Sequence, residues 1–512
     1  MSLFVTLILI ALVTFIICLP YIKANLADIS PSFLERQSSV GPTRKQGEST
    51  AYRSVDVPHG LPLTGGLRIR IGYKLRDGCL KDIWSIALKG TSDTPDSSTA
   101  STLIQFDNGV QLSIGRINHL IHIISSKLEK LTQSDKIGIF SDYLSPQSVL
   151  LTLSCFFVSE KTLVNFNSLP KQPVEDLDLI IVDKAHYQKV LSLGFSKVIV
   201  IGDVEDPNVV SFDESIVPIE TSIKSSSDYS YKPNEEYMDF NNQPYTEIND
   251  FREVHFFQRS FVSAIGARLL SLPTDFSWSE SDSLLIGVSS MIDPCSKNAL
   301  ITNLLCGLLS RVSKITIRSE DKLQSVDQYV SDATILAISD QTLNRIVSST
   351  SVSLFKKFEI NRAEYFNSLG FFTTIGKISP GLHLKLVYSL QTNRLITSRQ
   401  YNTLRSSLGA RIIREKYSHV VVGPVLKTNI FEHRVLSHEK FNGFSISQLG
   451  VSSNALELKL KKKSDDDNTG ELYARGYSVG KGEEGIDYDA EFWVDLGIRG
   501  KFAKDGCFYE YK

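Results

Sequence analysis

TGELYARGYSVGKGEEGIDYDAEFWVDLGIRGKFAKDGCFYEY, residues 469–511, is the stretch whose reading decides the fold. Within it ELYARGYSV, EFWVDLGI and CFYEY alternate apolar and polar side chains, the period of a strand with one buried face. Gly485 and the Asp505-Gly506 pair supply turn positions that accept positive φ. A compact antiparallel β unit closing a larger body is the expected structure.

Working outward, 512 residues with 42% hydrophobic and 22% charged side chains are enough for two to four packed subdomains of a globular protein. A formal net charge of −2 gives no basic stripe and argues against nucleic acid as a partner. The six cysteines, Cys18, Cys79, Cys155, Cys295, Cys306 and Cys507, form no CxxC pair, which argues against a zinc site or a disulfide framework. They read as small buried apolar residues. Neither a metal nor a cofactor is expected.

The N-terminus is different in kind. Leu3 to Ile22 is a run of twenty residues without a charge, long enough to cross a bilayer core as a helix. No Lys or Arg precedes it, and Ala24 and Ala27 make a poor cleavage site, so a retained anchor is expected rather than a signal peptide. Lys23, Arg36, Arg44 and Lys45 follow the run, which places the large domain in the cytosol by the positive-inside rule. No asparagine lies in an N-x-[ST] sequon, in agreement with that side. A cleaved signal with a secreted or luminal body is the alternative.

The order of patterns divides the chain into an anchor over residues 1–24, a tether or arm over 25–62, a first α/β subdomain over 63–221, a polar loop over 222–250, a second α/β subdomain over 251–425 and a β-rich subdomain over 426–512. In the first α/β subdomain, Ile117, Leu120, Ile121, Ile124, Leu128 and Leu131 fall on one face of a helix from Ile117 to Leu131. Strands are expected from Ile137 to Phe140, Thr162 to Val164, Leu177 to Val182 and Lys197 to Ile201, with helices from Pro146 to Phe157 and His186 to Leu193 between them. The second runs through a helix from Phe256 to Leu272, strands from Leu284 to Val288, Ile315 to Ile317, Ala333 to Ala337 and Leu382 to Tyr388, and helices from Asn298 to Leu309 and Ser398 to Leu408. The predicted architecture is two doubly wound α/β subdomains plus a C-terminal β subdomain, preceded by one N-terminal transmembrane helix.

Over residues 50–511 this order resembles the adenylate-forming superfamily, with the long-chain acyl-CoA synthetases as its nearest branch. VQLSIGRINHLIHIISSKLEKL at 110–131 resembles the family's entry helix, and DKIGIFSDYLSPQSVLLTLSCFFVSEKTLVNFN at 135–167 its first strand–helix–strand. TAYRSVD at 50–56 is similar to the entry of long-chain members, VHFFQRSFVSA at 254–264 to the helix after the phosphate loop, and ARIIREKYSHVVVGPV at 410–425 to the flanks of the adenine motif.

The resemblance implies where nucleotide chemistry belongs, and the residues there depart from the family pattern. The glycine-rich phosphate loop corresponds to YTEINDFRE, Tyr245 to Glu253, which has no glycine and offers only Thr246 and Arg252 as phosphate contacts. Tyr417 occupies the adenine-stacking position, but Val421 stands at the magnesium carboxylate's place and offers no hard oxygen ligand. LQTNRL, Leu390 to Leu395, replaces the glycines of the acyl-pocket floor. Ile498 stands for the ribose aspartate, and Asp495, three residues earlier on a strand, is expected to face the other way. Lys512 falls about where the family's hinge begins, so the lid with its catalytic lysine is expected to be missing. No catalytic residue is assigned.

The reading that follows is a catalytically inactive acyl-CoA synthetase-like protein, anchored in the endoplasmic reticulum or a related membrane. It would act as a regulatory, scaffolding or lipid-binding component, with protein partners in lipid metabolism and fatty acid or acyl-CoA as the candidate ligand. The alternative is an active, divergent ATP-dependent acid-thiol ligase for long-chain fatty acids, or a fatty-acid transport protein. Other features have plainer readings: His119 with His122, and His433 with His438, are packing residues; Gly476, Gly480 and Gly482 are turns; KKKSDDDN at 461–468 is a charged hairpin tip.

Overall fold

The computed structural model describes residues 12–14, 18, 27–42, 44–71, 74–90, 102–172, 174–204, 209–216, 242–249, 252–289, 293–392, 396–436, 440–441, 444–462, 469–482 and 491–511. The predicted anchor from Leu3 to Ile22 lies outside these residues except for Leu12, Val13, Thr14 and Cys18, and so does most of the predicted polar loop over 222–250. No helix among the described residues is long and apolar enough to cross a membrane.

Short runs rich in Ile, Val and Leu build the first sheet. Lys136–Phe140 lies at its centre, parallel to Thr162–Phe166 on one side and to Leu179–Asp183 on the other, with Lys197–Ile201 parallel beyond the latter. Leu179 through Val182 are all buried, as expected for an interior strand covered on both faces. The helix Pro146–Phe157 connects the central strand to its first neighbour; the Ser145 hydroxyl caps it and Pro146 starts it.

The second sheet repeats the plan. Ser283–Val288 is central, parallel to Lys314–Ser319 and to Ile335–Ser339, and Leu386–Leu390 and Arg411–Ser418 extend it in parallel. Its other edge comes from far upstream: Leu103–Gln105 runs parallel to Lys314–Ser319 and carries Gln111–Ser113 in a hairpin. These strands lie between residues 63 and 221 in sequence but belong to the second sheet.

The opening stretch forms strands Gly470–Gly476, Val494–Phe502 and Phe508–Tyr511, joined antiparallel with Leu456–Lys461 and Phe444–Ser452. Residues 483–490, including the expected turn at Gly485, lie outside the described residues, while Gly506 turns with φ 78° as its sequence required. This β unit is continuous with the second sheet through Leu426↔Ser452 and Lys427↔Val451. The arm adds two more strands, Ser38–Val40 and Tyr52–Ser54, the latter paired at Tyr52↔Leu458. Tyr52 stacks on Phe502 with ring centroids 3.8 Å apart. One apolar core runs through all three units, from Trp84 and Ile121 through Phe157, Leu284 and Val425 to Leu472 and Phe508.

Several elements differ from the sequence reading. The entry helix starts earlier, spanning Ile114–Leu131, because Ser113 caps it. The expected helix from Phe256 to Leu272 is Gln258–Leu269, since Phe256 ends a strand. The helix expected from Asn298 begins at Pro294, where the Asp293 carboxylate accepts from the amides of Cys295 and Ser296. Among the described residues, three helices of ten residues or more had no counterpart in the sequence reading: Leu80–Lys89, Asp340–Ser349 and Leu354–Ser368. Cys79, Cys155, Cys306 and Cys507 are buried as expected, whereas Cys295 is half-buried and Cys18 is exposed, so the reading fails for these two; none of the six forms a disulfide.

Candidate ligand-binding site

The stretch YTEINDFRE is a hairpin and not a loop. Tyr245–Asn249 pairs antiparallel with Arg252–Phe256, with Asn249 opposite Arg252, so only Asp250 and Phe251 separate the paired residues. The physical reason is local: Tyr245, Thr246, Ile248, Val254 and Phe256 favour a pleated surface, and Asn249-Asp250 is turn chemistry. Thr246 is 1% exposed, and its hydroxyl lies 3.0 Å from His255 Nδ1 and 3.1 Å from Gln243 Nε2. Its polarity is spent inside the sheet. The Arg252 side chain lies outside the described residues.

The other three nucleotide positions are also packed. Tyr417 is 3% exposed on the strand Arg411–Ser418, with its ring against Ala299 and Leu390. Its hydroxyl donates to Glu415 Oε2 at 3.0 Å and accepts from Arg268 Nη1 at 3.4 Å, and burial pushes its titration far up. Val421 is fully buried, and its carbonyl accepts from Asn298 Nδ2 at 2.6 Å. Asn298 Oδ1 in turn accepts from the Gly423 amide at 2.9 Å, and Gly423 takes φ 74° where an added Cβ would meet Ala264. One amide side chain therefore fastens the hairpin that would carry a magnesium ligand. Ile498 is buried, while Asp495 is exposed on the opposite face of the same strand and accepts from the Gly497 amide. Of the substituted acyl-pocket floor, Leu390, Gln391 and Thr392 are described, and Thr392 Oγ1 donates to Asp340. The structure does not bring Thr246, Tyr417, Val421 and Ile498 together around an open space; each is part of an interior.

Two arrangements have no counterpart in the sequence reading. The first lies at the carboxyl ends of the first sheet's strands. There the chain turns from one side of Lys136–Phe140 to the other, the place where open α/β sheets bind ligands. Asp142 follows the central strand and Asp183 ends its neighbour, and the Asp142 amide donates to Asp183 Oδ2 at 3.0 Å. Lys297 reaches in from the first turn of Pro294–Leu309, 3% exposed, with Nζ 3.4 Å from Asn165 Oδ1 and 5.4 Å from the centre of the Tyr143 ring. Glu247, 4% exposed, accepts from Asn167 Nδ2 at 2.5 Å.

Burial pushes the Asp183 carboxyl up to about 6, and the neighbouring Asp142 charge adds to the rise. Burial lowers the Lys297 ammonium to about 8 against the opposing pull of Glu247, Asp142, Asp183 and Asp293. Titrations displaced in this way concentrate at functional sites. The signal for this cluster was available in PCSKNALITNLL and TLVNF, where a lysine and an asparagine interrupt apolar runs that bury everything around them. Among the described residues no group of three or more His, Cys, Asp or Glu could hold a metal ion.

The second arrangement is a cavity of about 630 Å³ between the arm, the end of Gln258–Leu269 and the face of the second sheet. This is the size of small-molecule pockets, which commonly fall between about 300 and 1,000 Å³. Its wall is mixed: Phe33, Val55, Leu272 and Phe431 beside Arg268 and Glu415. Arg268 Nη2 donates to Glu415 Oε2 at 3.0 Å, with side chains 1% and 3% exposed. Arg268 Nε and Glu415 Oε1 are buried with no hydrogen-bond partner among the described residues. The Arg268 guanidinium also lies 4.0 Å from the centre of the Tyr388 ring. Lys427 lines the same space and donates to the Ser271 hydroxyl.

Comparison with known proteins places this fold. No family model matches the chain. An uncharacterized protein of Saccharomyces cerevisiae is 26% identical over 550 aligned positions, covering 94% of each chain. Among solved structures, a long-chain-fatty-acid-CoA ligase from Archaeoglobus fulgidus superposes with a TM-score of 0.56 at 13% identity, over 87% of this chain and 86% of that one. The luciferase-like enzyme of the mealworm Zophobas morio gives 0.57 at 13% identity, over 88% and 98%. A benzoate CoA ligase from Burkholderia xenovorans gives 0.55 at 12% identity, over 84% and 79%. The chain has the fold of the adenylate-forming ligases, as its motifs suggested, and likeness at this level of identity speaks for fold alone.

Proposed function

We propose that this chain keeps the acyl-CoA ligase fold without its adenylating chemistry and serves as a membrane-anchored, lipid-binding or scaffolding component of lipid metabolism. The observation that carries the reading is the register of the Tyr245–Phe256 hairpin. A phosphate cradle needs several successive amides turned toward the ligand, with glycine allowing close approach. Here Asn249 is paired opposite Arg252, and the sequence from Tyr245 to Phe256 contains no glycine. The buried Val421 and Ile498 side chains support it, since neither offers an oxygen to magnesium or to ribose. Oriented charges around the transferring phosphate are the main source of rate in this chemistry, so their replacement by apolar packing removes most of it.

The cavity beneath the arm supports retained binding: its apolar walls suit an acyl chain, and Arg268 and Lys427 suit a carboxylate. Fatty acid or acyl-CoA is the ligand class that fits. Protein partners acting on lipids, and a site on the cytosolic face of the endoplasmic reticulum or a related membrane, belong to the same proposal and rest on Leu3 to Ile22. Incubation of the purified protein with radiolabelled long-chain fatty acid, ATP, magnesium and CoA tests it. Retention of the fatty acid with no acyl-adenylate and no acyl-CoA is expected; formation of either product overturns it.

One observation favours a second reading, a divergent ligase or transport protein with its own chemistry. Lys297, Asp142 and Asp183 hold titratable groups at the crevice where open α/β sheets place their ligands. On that reading the same incubation gives a CoA ester, and Lys297→Met abolishes it.

A further inference from the structure

The helix Leu354–Ser368 turns the wrong face to solvent. Its Ile360, Ala363 and Asn367 point inward, Asn367 Nδ2 donating to Ser406 Oγ at 2.8 Å. Outward it presents Leu354 at 85% exposure, Phe355 at 73%, Phe358 at 65% and Tyr365 at 63%, with Leu369 at 40% just beyond its end. At about 100° per residue, Leu354, Phe358, Tyr365 and Leu369 fall within an arc of roughly 60°, and Phe355 extends it to about 100°. Lys357 is exposed beside this arc and Arg362 within it, between Leu369 and Phe355, with its guanidinium 5.6 Å from the centre of the Phe366 ring. A surface helix of a soluble domain normally shows water its polar side. A contiguous outward aromatic patch marks an interaction site, and aromatic and leucine side chains bordered by Lys and Arg are the pattern of helices that lie in the lipid interface.

What covers the patch follows from where the arm attaches. The Asp28 amide donates to the Gly370 carbonyl at 3.2 Å, and its carboxylate accepts from the Phe372 amide at 3.1 Å. The same carboxylate pairs with Arg411 at 2.7 Å. Asp28 is thereby fixed at the C-terminal end of the exposed helix, and Ile22, the last residue of the uncharged run, is six residues upstream. Six residues span at most ~20 Å, while the fifteen-residue helix is itself ~22 Å long. Any bilayer entered by the run from Leu3 to Ile22 therefore lies within reach of the aromatic face.

We propose that the outward face of Leu354–Ser368 lies flat on the anionic phospholipid surface into which the Leu3 to Ile22 run inserts, giving the body a second contact and a fixed orientation. This rests on the membrane part of the proposed function, and the experiment separates the two. The native tryptophans, Trp84, Trp278 and Trp493, are all at least nine-tenths buried, so they add the same shielded background to every variant and the difference in quenching comes from the added surface tryptophan. Full-length F358W, and V210W on the outer edge strand of the first sheet as control, are reconstituted into vesicles of phosphatidylcholine with phosphatidylserine, one lipid brominated near the headgroup, and floated on a density gradient.

The expected result is co-flotation of both variants, fluorescence of F358W quenched at least twofold more than that of V210W, and less quenching without phosphatidylserine. Co-flotation with equal quenching of the two variants overturns the proposal while leaving the anchor intact, as expected if a protein covers the helix instead. Failure to co-float overturns both the anchor and the second contact. Because Phe358 and Val210 are exposed, unchanged thermal unfolding of the two variants is expected and is measured alongside.

Discussion

Replacing Arg268 by methionine should be among the most damaging single changes away from the protein's glycines. The guanidinium and the Glu415 carboxylate are 3.0 Å apart and almost wholly buried, and the Tyr417 hydroxyl is the carboxylate's other described donor. At that separation and an effective dielectric of about 20, the attraction is about 5 kcal/mol, and removing one partner of a buried pair commonly costs about 3–5 kcal/mol. That is a large share of the roughly 5–15 kcal/mol by which a domain is stable. R268M should therefore lower the urea midpoint steeply, whereas the double variant R268M/E415L, which leaves no stranded charge, should cost less than R268M alone.

The pH dependence of R268M has a definite sign. Burial already holds the Glu415 carboxyl above its ordinary range, and Arg268 opposes that rise. Without Arg268 it climbs further, so the folded state keeps a proton that the unfolded chain has released. Stability is then fullest below the unfolded carboxyl value and is lost as pH rises through the folded one, and the R268M deficit should shrink from pH 8 toward pH 5. A deficit under about 1 kcal/mol at pH 8, or a double variant less stable than R268M alone, would refute the reasoning.

The remaining predictions concern the crevice, the apolar hairpin and the arm. Lys297 titrates near 8 in the fold against an ordinary 10.5, so the unfolded chain binds more protons between those values and stability rises with pH across that window; in K297M this gain, up to about 3 kcal/mol, should be absent from urea titrations at pH 8 and 10. Asp183, raised to about 6 from 3.8, acts the other way: stability falls as pH rises across that interval, and D183N should flatten the fall. N298A strands the Val421 carbonyl and the Gly423 amide together and should cost about 2–3 kcal/mol in thermal or urea unfolding. Y52A removes the stack on Phe502 that holds the arm strand, and trypsin should then cut after Lys45 or Arg53 well before the body is digested.

The fold was most legible where the sequence punctuates itself. The helices Pro146–Phe157 and Ser398–Leu408 have the expected ends, because Ser145-Pro146 begins one and Gly409, with φ 61°, stops the other. Leu354–Ser368 escaped because apolar residues lie on both its inward and its outward faces, so no single stripe repeats at the helical period. The hairpin Tyr245–Phe256 was hidden by the resemblance itself, which placed a loop where strand-forming residues stand. Glu247, Lys297 and Asp142 are remote in sequence, and they come together only because the first sheet orders its strands as it does and Lys297 reaches Asn165 from a helix of the second α/β unit. The cavity takes its walls from the arm, one helix end and the second sheet, a combination no local pattern encodes.

The substitutions at Val421 and Ile498 and the closed hairpin at Asn249↔Arg252 all bear on one property, the capacity to hold a nucleotide. Isothermal titration of the full-length protein in detergent with ATP and magnesium measures it directly. The account predicts no saturable heat up to millimolar nucleotide; a stoichiometric isotherm with micromolar affinity would contradict it.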